Sequence, residues 1–254
     1  MSPAGAGSGA PLRIAMWSGP RNISTAMMRA FENRADTTVV DEPFYAAWLV
    51  ASGAPHPMRE AIIAAGERDP AKVAALLVGP VPGGRSVFYQ KHMTHHMVPA
   101  FPRGWIDRVT SVFLIRRPEE VVASYADRRG AATLADIGVV EQAEIFDAVA
   151  DRLGRAPPVI DAADVLADPA GTLAALGAAI GLAFDPAMLA WPAGKRDTDG
   201  VWAAHWYASV ERSTGFARPG RAVAFEELGE AEKPVAEAAR PLYDRLAAHR
   251  LRGA

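Results

Sequence analysis

The stretch MWSGPRNISTAMMRAF, residues 16–31, decides how the chain is read. It follows the short apolar run 12–16, passes a Gly-Pro turn that carries Arg21, and enters a segment of helical character. A strand, a tight turn and a helix start make an anion site. Free backbone N–H groups and the positive end of the helix dipole both face the turn. Arg21 can pair with an anion through two parallel hydrogen bonds, and Ser24 and Thr25 can cap the helix or donate to a phosphate oxygen. An ordinary strand-to-helix turn with Ser24 as N-cap fits the same residues. Mg–ATP chemistry would need G-x-x-x-x-G-K-[ST]. Counted from Gly19, the second glycine is Ser24, the lysine is Thr25 and the metal-binding hydroxyl is Ala26.

Outward from this stretch, strands and helices alternate. Strands are predicted over 12–16, 37–40, 86–89, 110–115 and 158–161. Helices are predicted over 24–34, 118–129, 134–153, 169–180 and 230–249, and Pro70 starts a new helix within a helical stretch. Residues 191–216 read as a loop with Gly and Trp scattered through it. This order predicts an α/β fold of the three-layer P-loop type, a central parallel sheet flanked by helices. One domain is expected over 12–254, after a disordered leader over 1–11 that lacks the basic start and apolar stretch of a signal peptide. In such folds ligands sit beyond the carboxyl ends of the strands. The unusual residues fall there, after Met16, Val40, Tyr89 and Ile115.

Composition narrows the classes. The 254 residues are 50% hydrophobic, enough for a large core, and the net charge of -2 gives no pull toward nucleic acid. Cysteine is absent, which excludes disulfides and zinc–thiolate sites and fits a reducing cytoplasm. No apolar run approaches the ~20 residues of a membrane span. Expected partners are therefore small molecules, with a homo-oligomer open.

After the fourth strand comes FLIRRPEEVVASY, residues 113–125. Arg116 ends the strand, Pro118 suits the first helical position, and Glu119 and Glu120 suit the first turn. Ser124 lies further inside with its side chain leaning back toward the N-terminus, so Arg116 and Ser124 can reach one phosphate.

These residues resemble the sulfotransferases that use 3′-phosphoadenosine 5′-phosphosulfate (PAPS). Their first loop holds the 5′-phosphosulfate with Lys/Arg followed by Ser-Gly-Thr/Ser-Thr/Ser. Here the loop reads Arg21-Asn22-Ile23-Ser24-Thr25, with Ile23 where glycine is usual. The family's 3′-phosphate motif, Arg-x-Pro-x-x-Val/Ala-x-x-Ser-Tyr/Trp, is matched in spacing from Arg116 to Tyr125. The resemblance implies that Arg21 to Thr25 hold the phosphosulfate and that Arg116 and Ser124 hold the 3′-phosphate. Residues 159–184 resemble a later family segment. GKRDTDGVWAAHW, residues 194–206, is similar to the family's C-terminal loop, which implies that Lys195 and Arg196 touch the 3′-phosphate. The likeness spans roughly residues 12–206 in pieces, and PAPS is the implied donor, with no catalytic metal.

The accepting hydroxyl or amine must lose a proton, so a base is needed within hydrogen-bond reach. Glu42, in VVDEPFYAAW, matches a glutamate base of some carbohydrate sulfotransferases. YQKHMTHHM offers Lys91, where the family often has a lysine on the leaving oxygen, and His92, His95 and His96, half of the chain's six histidines. The family's histidine base would fall on Met93, so the base stays open between Glu42 and His92 or its neighbours. A metal on His92 and His96 has no acidic third ligand nearby in sequence. Phe44, Tyr45, Trp48, Trp202, Trp206 and Tyr207 can line a pocket or fill core. A P-loop small-molecule kinase and a non-catalytic nucleotide-binding module are the competing readings.

Overall fold

The computed structural model describes residues 9–253. The expected leader falls largely on residues 1–8, outside the described residues. The strands are β1 (Leu12–Ser18), β2 (Thr37–Asp41), β3 (Val87–Met93), β4 (Thr110–Ile115) and β5 (Val159–Asp161). They form one parallel sheet in the order β2-β3-β1-β4-β5.

The helices in chain order are α1 (Ser24–Glu32), α2 (Tyr45–Ser52), α3 (Arg59–Ala65), α4 (Pro70–Val78), α5 (Pro118–Arg129), α6 (Leu134–Ile137), α7 (Val139–Leu153), α8 (Ala162–Ala167), α9 (Pro169–Ile180), α10 (Ala203–Trp206), α11 (Ala208–Glu211) and α12 (Lys233–Ala247). Asp69 caps α4 by accepting from Ala71 N–H, with Pro70 in the first turn.

The period of two along each strand splits the core into two layers. Ala15 and Trp17 of β1 with Phe113 and Ile115 of β4 face one side, against Leu77, Phe146, Val149 and Leu246. Ile14 and Met16 with Val112 and Leu114 face the other, against Met27, Phe31, Val165, Leu173 and Leu176. Helices thus cover both faces, as a parallel sheet requires.

Three expectations are corrected. β3 runs four residues past Tyr89, so Gln90 to Met93 belong to the strand. The helix expected over 134–153 breaks into α6 and α7 at Gly138, whose φ is 62°. A Cβ there would lie 2.7 Å from Thr94 Oγ1 and 2.9 Å from His95 N, and Thr94 Oγ1 donates to Gly138 O at 2.6 Å. Residues 191–216 are not loop throughout. They carry α10 and α11 and close back on Ala190 through a bridge at Gly215.

Candidate active site

The β1–α1 turn lies at the carboxyl edge of the sheet. Arg21 (φ 59°) and Ile23 (φ 42°) both take the left-handed conformation. For a β-branched residue this is a true outlier, and such strain persists only where the surroundings enforce it. Ile23 stands where the family has glycine, and its backbone adopts a glycine-like conformation regardless. It precedes α1 without a side-chain cap, so no side chain in the turn takes up the helix's first N–H groups. Asn22 pins the turn, donating from Nδ2 to Leu114 O at 2.7 Å, and its buried Oδ1 has no hydrogen-bond partner.

The turn meets the β4–α5 segment directly. Arg21 Nε donates to Ser124 Oγ at 2.9 Å, and Arg116 Nη1 donates to Arg21 O at 2.7 Å. Two motifs 95 residues apart therefore share one patch. The acidic first turn of α5 is neutralised. Arg116 Nε donates to Glu120 at 2.8 Å, and Glu119 pairs with Arg117 and Arg240. That leaves the patch electropositive.

At the tips of β2 and β3, Lys91 is 1% exposed and uses all three N–H donors. They go to Asp41 Oδ1 at 2.8 Å, Glu42 Oε1 at 2.5 Å and the Tyr207 hydroxyl at 2.9 Å. Burial alone would lower its pKa, but Asp41 and Glu42 overcome that and raise it well above the ordinary lysine value. Asp41 Oδ2 also accepts from the Tyr207 hydroxyl at 2.7 Å and Trp202 Nε1 at 3.1 Å. Glu42 sits at φ 41°, a third strained residue beside the same space.

A cavity of about 500 Å³ joins these parts. Of the residues singled out in the sequence, Arg21, Asn22, Ile23, Ser24, Thr25, Glu42, Lys91, Arg116 and Ser124 line it. So do His95 and His96, brought back by the turn Thr94–His96 that Gly138 holds.

His92 does not. Because β3 continues to Met93, Lys91 and His92 point to opposite faces of the sheet. The His92 ring stacks on Trp17 at 4.5 Å and lies 5.2 Å from Trp105, and burial holds its pKa down at about 3. Lys195 and Arg196 are also elsewhere. Lys195 is exposed, while Arg196 donates to Pro192 O at 2.6 Å and pairs with Glu32 at 3.7 Å, in the last turn of α1. The nine residues of α1 carry that end roughly 13 Å from the anion-facing start. The cation that the C-terminal segment does bring to the cavity is Arg218. Its signal in the sequence is the Pro219-Gly220 turn between two arginines, Arg218 and Arg221.

The family model described as "Sulfotransferase domain" matches residues 12–249. The chain belongs to the sulfotransferase domain family. Among curated relatives it is 34% identical over 240 residues to branched-chain-amino-acid aminotransferase-like protein 1 of Arabidopsis thaliana, covering 94% of this chain and 42% of that protein. It is 32% identical over 207 residues to the like-named protein 2, covering 81% of this chain and 36% of that one. The chain thus spans about two fifths of the length of these relatives. Among solved structures, the sulfotransferase domain from the curacin biosynthetic pathway superposes with a TM-score of 0.50 at 16% identity, covering 94% of this chain and 99% of that one. This last likeness is one of fold.

Proposed function

We propose that this sulfotransferase-family chain moves a sulfuryl group from PAPS to a hydroxyl or amine of a small acceptor molecule by in-line displacement. One observation carries the reading. Cations and hydroxyls from two distant motifs, and a lysine held by two carboxylates, line a single cavity of about 500 Å³. That is the size of clefts that hold small ligands.

In this reading Arg116 and Ser124 hold the 3′-phosphate. The turn 21–25 and the uncapped start of α1 hold the 5′-phosphosulfate. The acceptor oxygen or nitrogen forms its bond to sulfur as the bond from sulfur to the 5′-phosphate oxygen breaks, and that oxygen keeps the electron pair. Lys91 offsets the charge that develops there. With its three donors committed, it must exchange one, and the Tyr207 hydroxyl is the only uncharged partner of the three and so the cheapest to release. Glu42 takes the proton from the acceptor molecule.

The names of the curated relatives suggest transamination. An aminotransferase needs an unprotonated lysine to form an imine with its cofactor. Lys91, the lysine at this cavity, is kept protonated by two carboxylates, which does not suit that role. A kinase reading would need Thr25 and Ala26 to be a lysine and a metal-binding hydroxyl.

Calorimetry tests the donor. Adenosine 3′,5′-bisphosphate should bind without Mg and more tightly than 5′-AMP or Mg–ATP. Arg116→Ala or Ser124→Ala should cut that preference by about 1–3 kcal/mol. Better binding of Mg–ATP would remove the proposal.

A further inference from the structure

His96 is 2% exposed and lines the cavity, yet neither ring nitrogen has a hydrogen-bond partner. Its ring packs against Tyr45 (centroids 4.4 Å, planes 28° apart) and Trp48 (4.8 Å, 29°), with His95 edge-on at 4.3 Å. Packing therefore fixes where its nitrogens lie. Buried polar atoms are almost always paired, and an orphan at a cavity wall points to a partner supplied by a ligand. Nδ1 lies 4.0 Å from Glu42 Oε2, too far for a direct hydrogen bond. One oxygen placed about 2.8 Å from both atoms would see them at about 90°, a workable angle for a hydroxyl that accepts from one and donates to the other. No group of three or more metal-ligating residues forms among the described residues, so a cation is not the natural occupant.

We propose that His96 is an acceptor-binding residue which, with Glu42, cradles the attacking hydroxyl of the substrate. This rests on the sulfuryl-transfer reading above. Burial first, then the neighbouring His95 and Lys91, hold the imidazole neutral, so one nitrogen donates and the other accepts. The nearby carboxylate favours the proton on Nδ1. Nδ1–H then donates to one lone pair of the hydroxyl oxygen, and the hydroxyl proton points at Glu42 Oε2, since a carboxylate oxygen accepts more than one bond. The second lone pair attacks sulfur as the O–H proton passes to Glu42. An amine has a single lone pair and cannot both accept from His96 and attack. The site thus selects hydroxyl acceptors over amines.

The test is a crystal structure with adenosine 3′,5′-bisphosphate and phenol, joined to kinetics. An oxygen, from phenol or from water, should bridge His96 Nδ1 and Glu42 Oε2. His96→Phe, which keeps the stack but removes both nitrogens, should slow sulfuryl transfer from PAPS about 10- to 100-fold. Water serves as acceptor if phenol is refused, and bisphosphate affinity should stay unchanged. His96→Asn, whose amide nitrogen lies near the Nδ1 position, should restore much of the rate. Phenol should also outpace aniline. Tight bisphosphate binding with no bridging oxygen, or equal losses in the Phe and Asn variants, would overturn the His96 role alone. Failure to bind bisphosphate would take down the donor reading as well.

Discussion

His92 and Lys91 are neighbours in the chain with opposite electrostatic fates. Lys91 is charged and paired, while His92 is neutral and stacked in the aromatic layer. The folded-state pKa of His92 lies below its ordinary 6.5, so folding favours the neutral ring. Its contribution to stability is complete above pH 6.5 and is lost as pH falls from there toward 3. The slope is at most about 1.4 kcal/mol per pH unit for one such group. His92→Phe fits the same slot and removes the titration. Urea unfolding at about pH 7.5 and about pH 5 should give a shallower fall for the variant than for the parent. Parallel pH profiles would show that this ring is not where the proton goes. At the same scale, Arg21, Arg116 and Ser124 are legible in the sequence because their spacing is local. A strand tip plus a helix fixes where each side chain points. His92 is not, because local pattern ends β3 four residues early, and one residue of alternation decides which face a side chain takes.

At the level of elements, Gly138 is where long-range contact overrides helical pattern. The periodicity over 134–153 is continuous, and nothing in it announces that Thr94 and His95 press against that position. The break into α6 and α7 makes room for the turn carrying His95 and His96 to the cavity. Gly138→Ala should therefore cost more than a backbone penalty, because its Cβ meets Thr94 Oγ1 and His95 N. Gly154 is the control, at φ 63° with open space for 4 Å around the position a Cβ would take. Gly154→Ala should lose only the roughly 1–2 kcal/mol of a left-handed alanine. Gly138→Ala should fall well beyond that and also slow any sulfuryl transfer. Matching melting temperatures for the two variants would mean that the contact with the His95 turn carries no energy. The parallel sheet is legible as a class from strand–helix alternation, since parallel strands need crossovers. The route of residues 191–220 is not, because it is held by contacts with distant parts of the chain.

Across the whole molecule, that C-terminal segment is a strap over the carboxyl edge of the sheet, tied at two posts. One post is Asp41, which accepts from Trp202 and Tyr207. The other is the last turn of α1, where buried Arg29 pairs with Asp199 at 2.7 Å and Glu32 accepts from Thr198. Between and beyond the posts the strap supplies Trp206, Tyr207, Ser213 and Arg218 to the cavity. The sheet thus builds one wall from strand tips and the strap builds the other, which is why Arg196 pairs with Glu32 at the end of α1 while Arg218 reaches the site. Asp199→Ala removes the ion pair of the second post without touching the cavity, leaving the Thr198 and Arg196 ties to Glu32 there. It leaves Arg29, only 1% exposed, with Glu32 at 3.3 Å as its remaining carboxylate. The expected cost is about 1–3 kcal/mol of stability. Amide hydrogen exchange should rise over residues 195–220 while the sheet core stays protected, because local opening follows the loss of local ties. If the strap positions Arg218 for the nucleotide, bisphosphate affinity should drop about 5- to 10-fold in parallel, since an open state taxes binding by its population. Faster exchange with undiminished affinity would mean that the strap only covers the cavity and that the nucleotide is held by the strand tips alone.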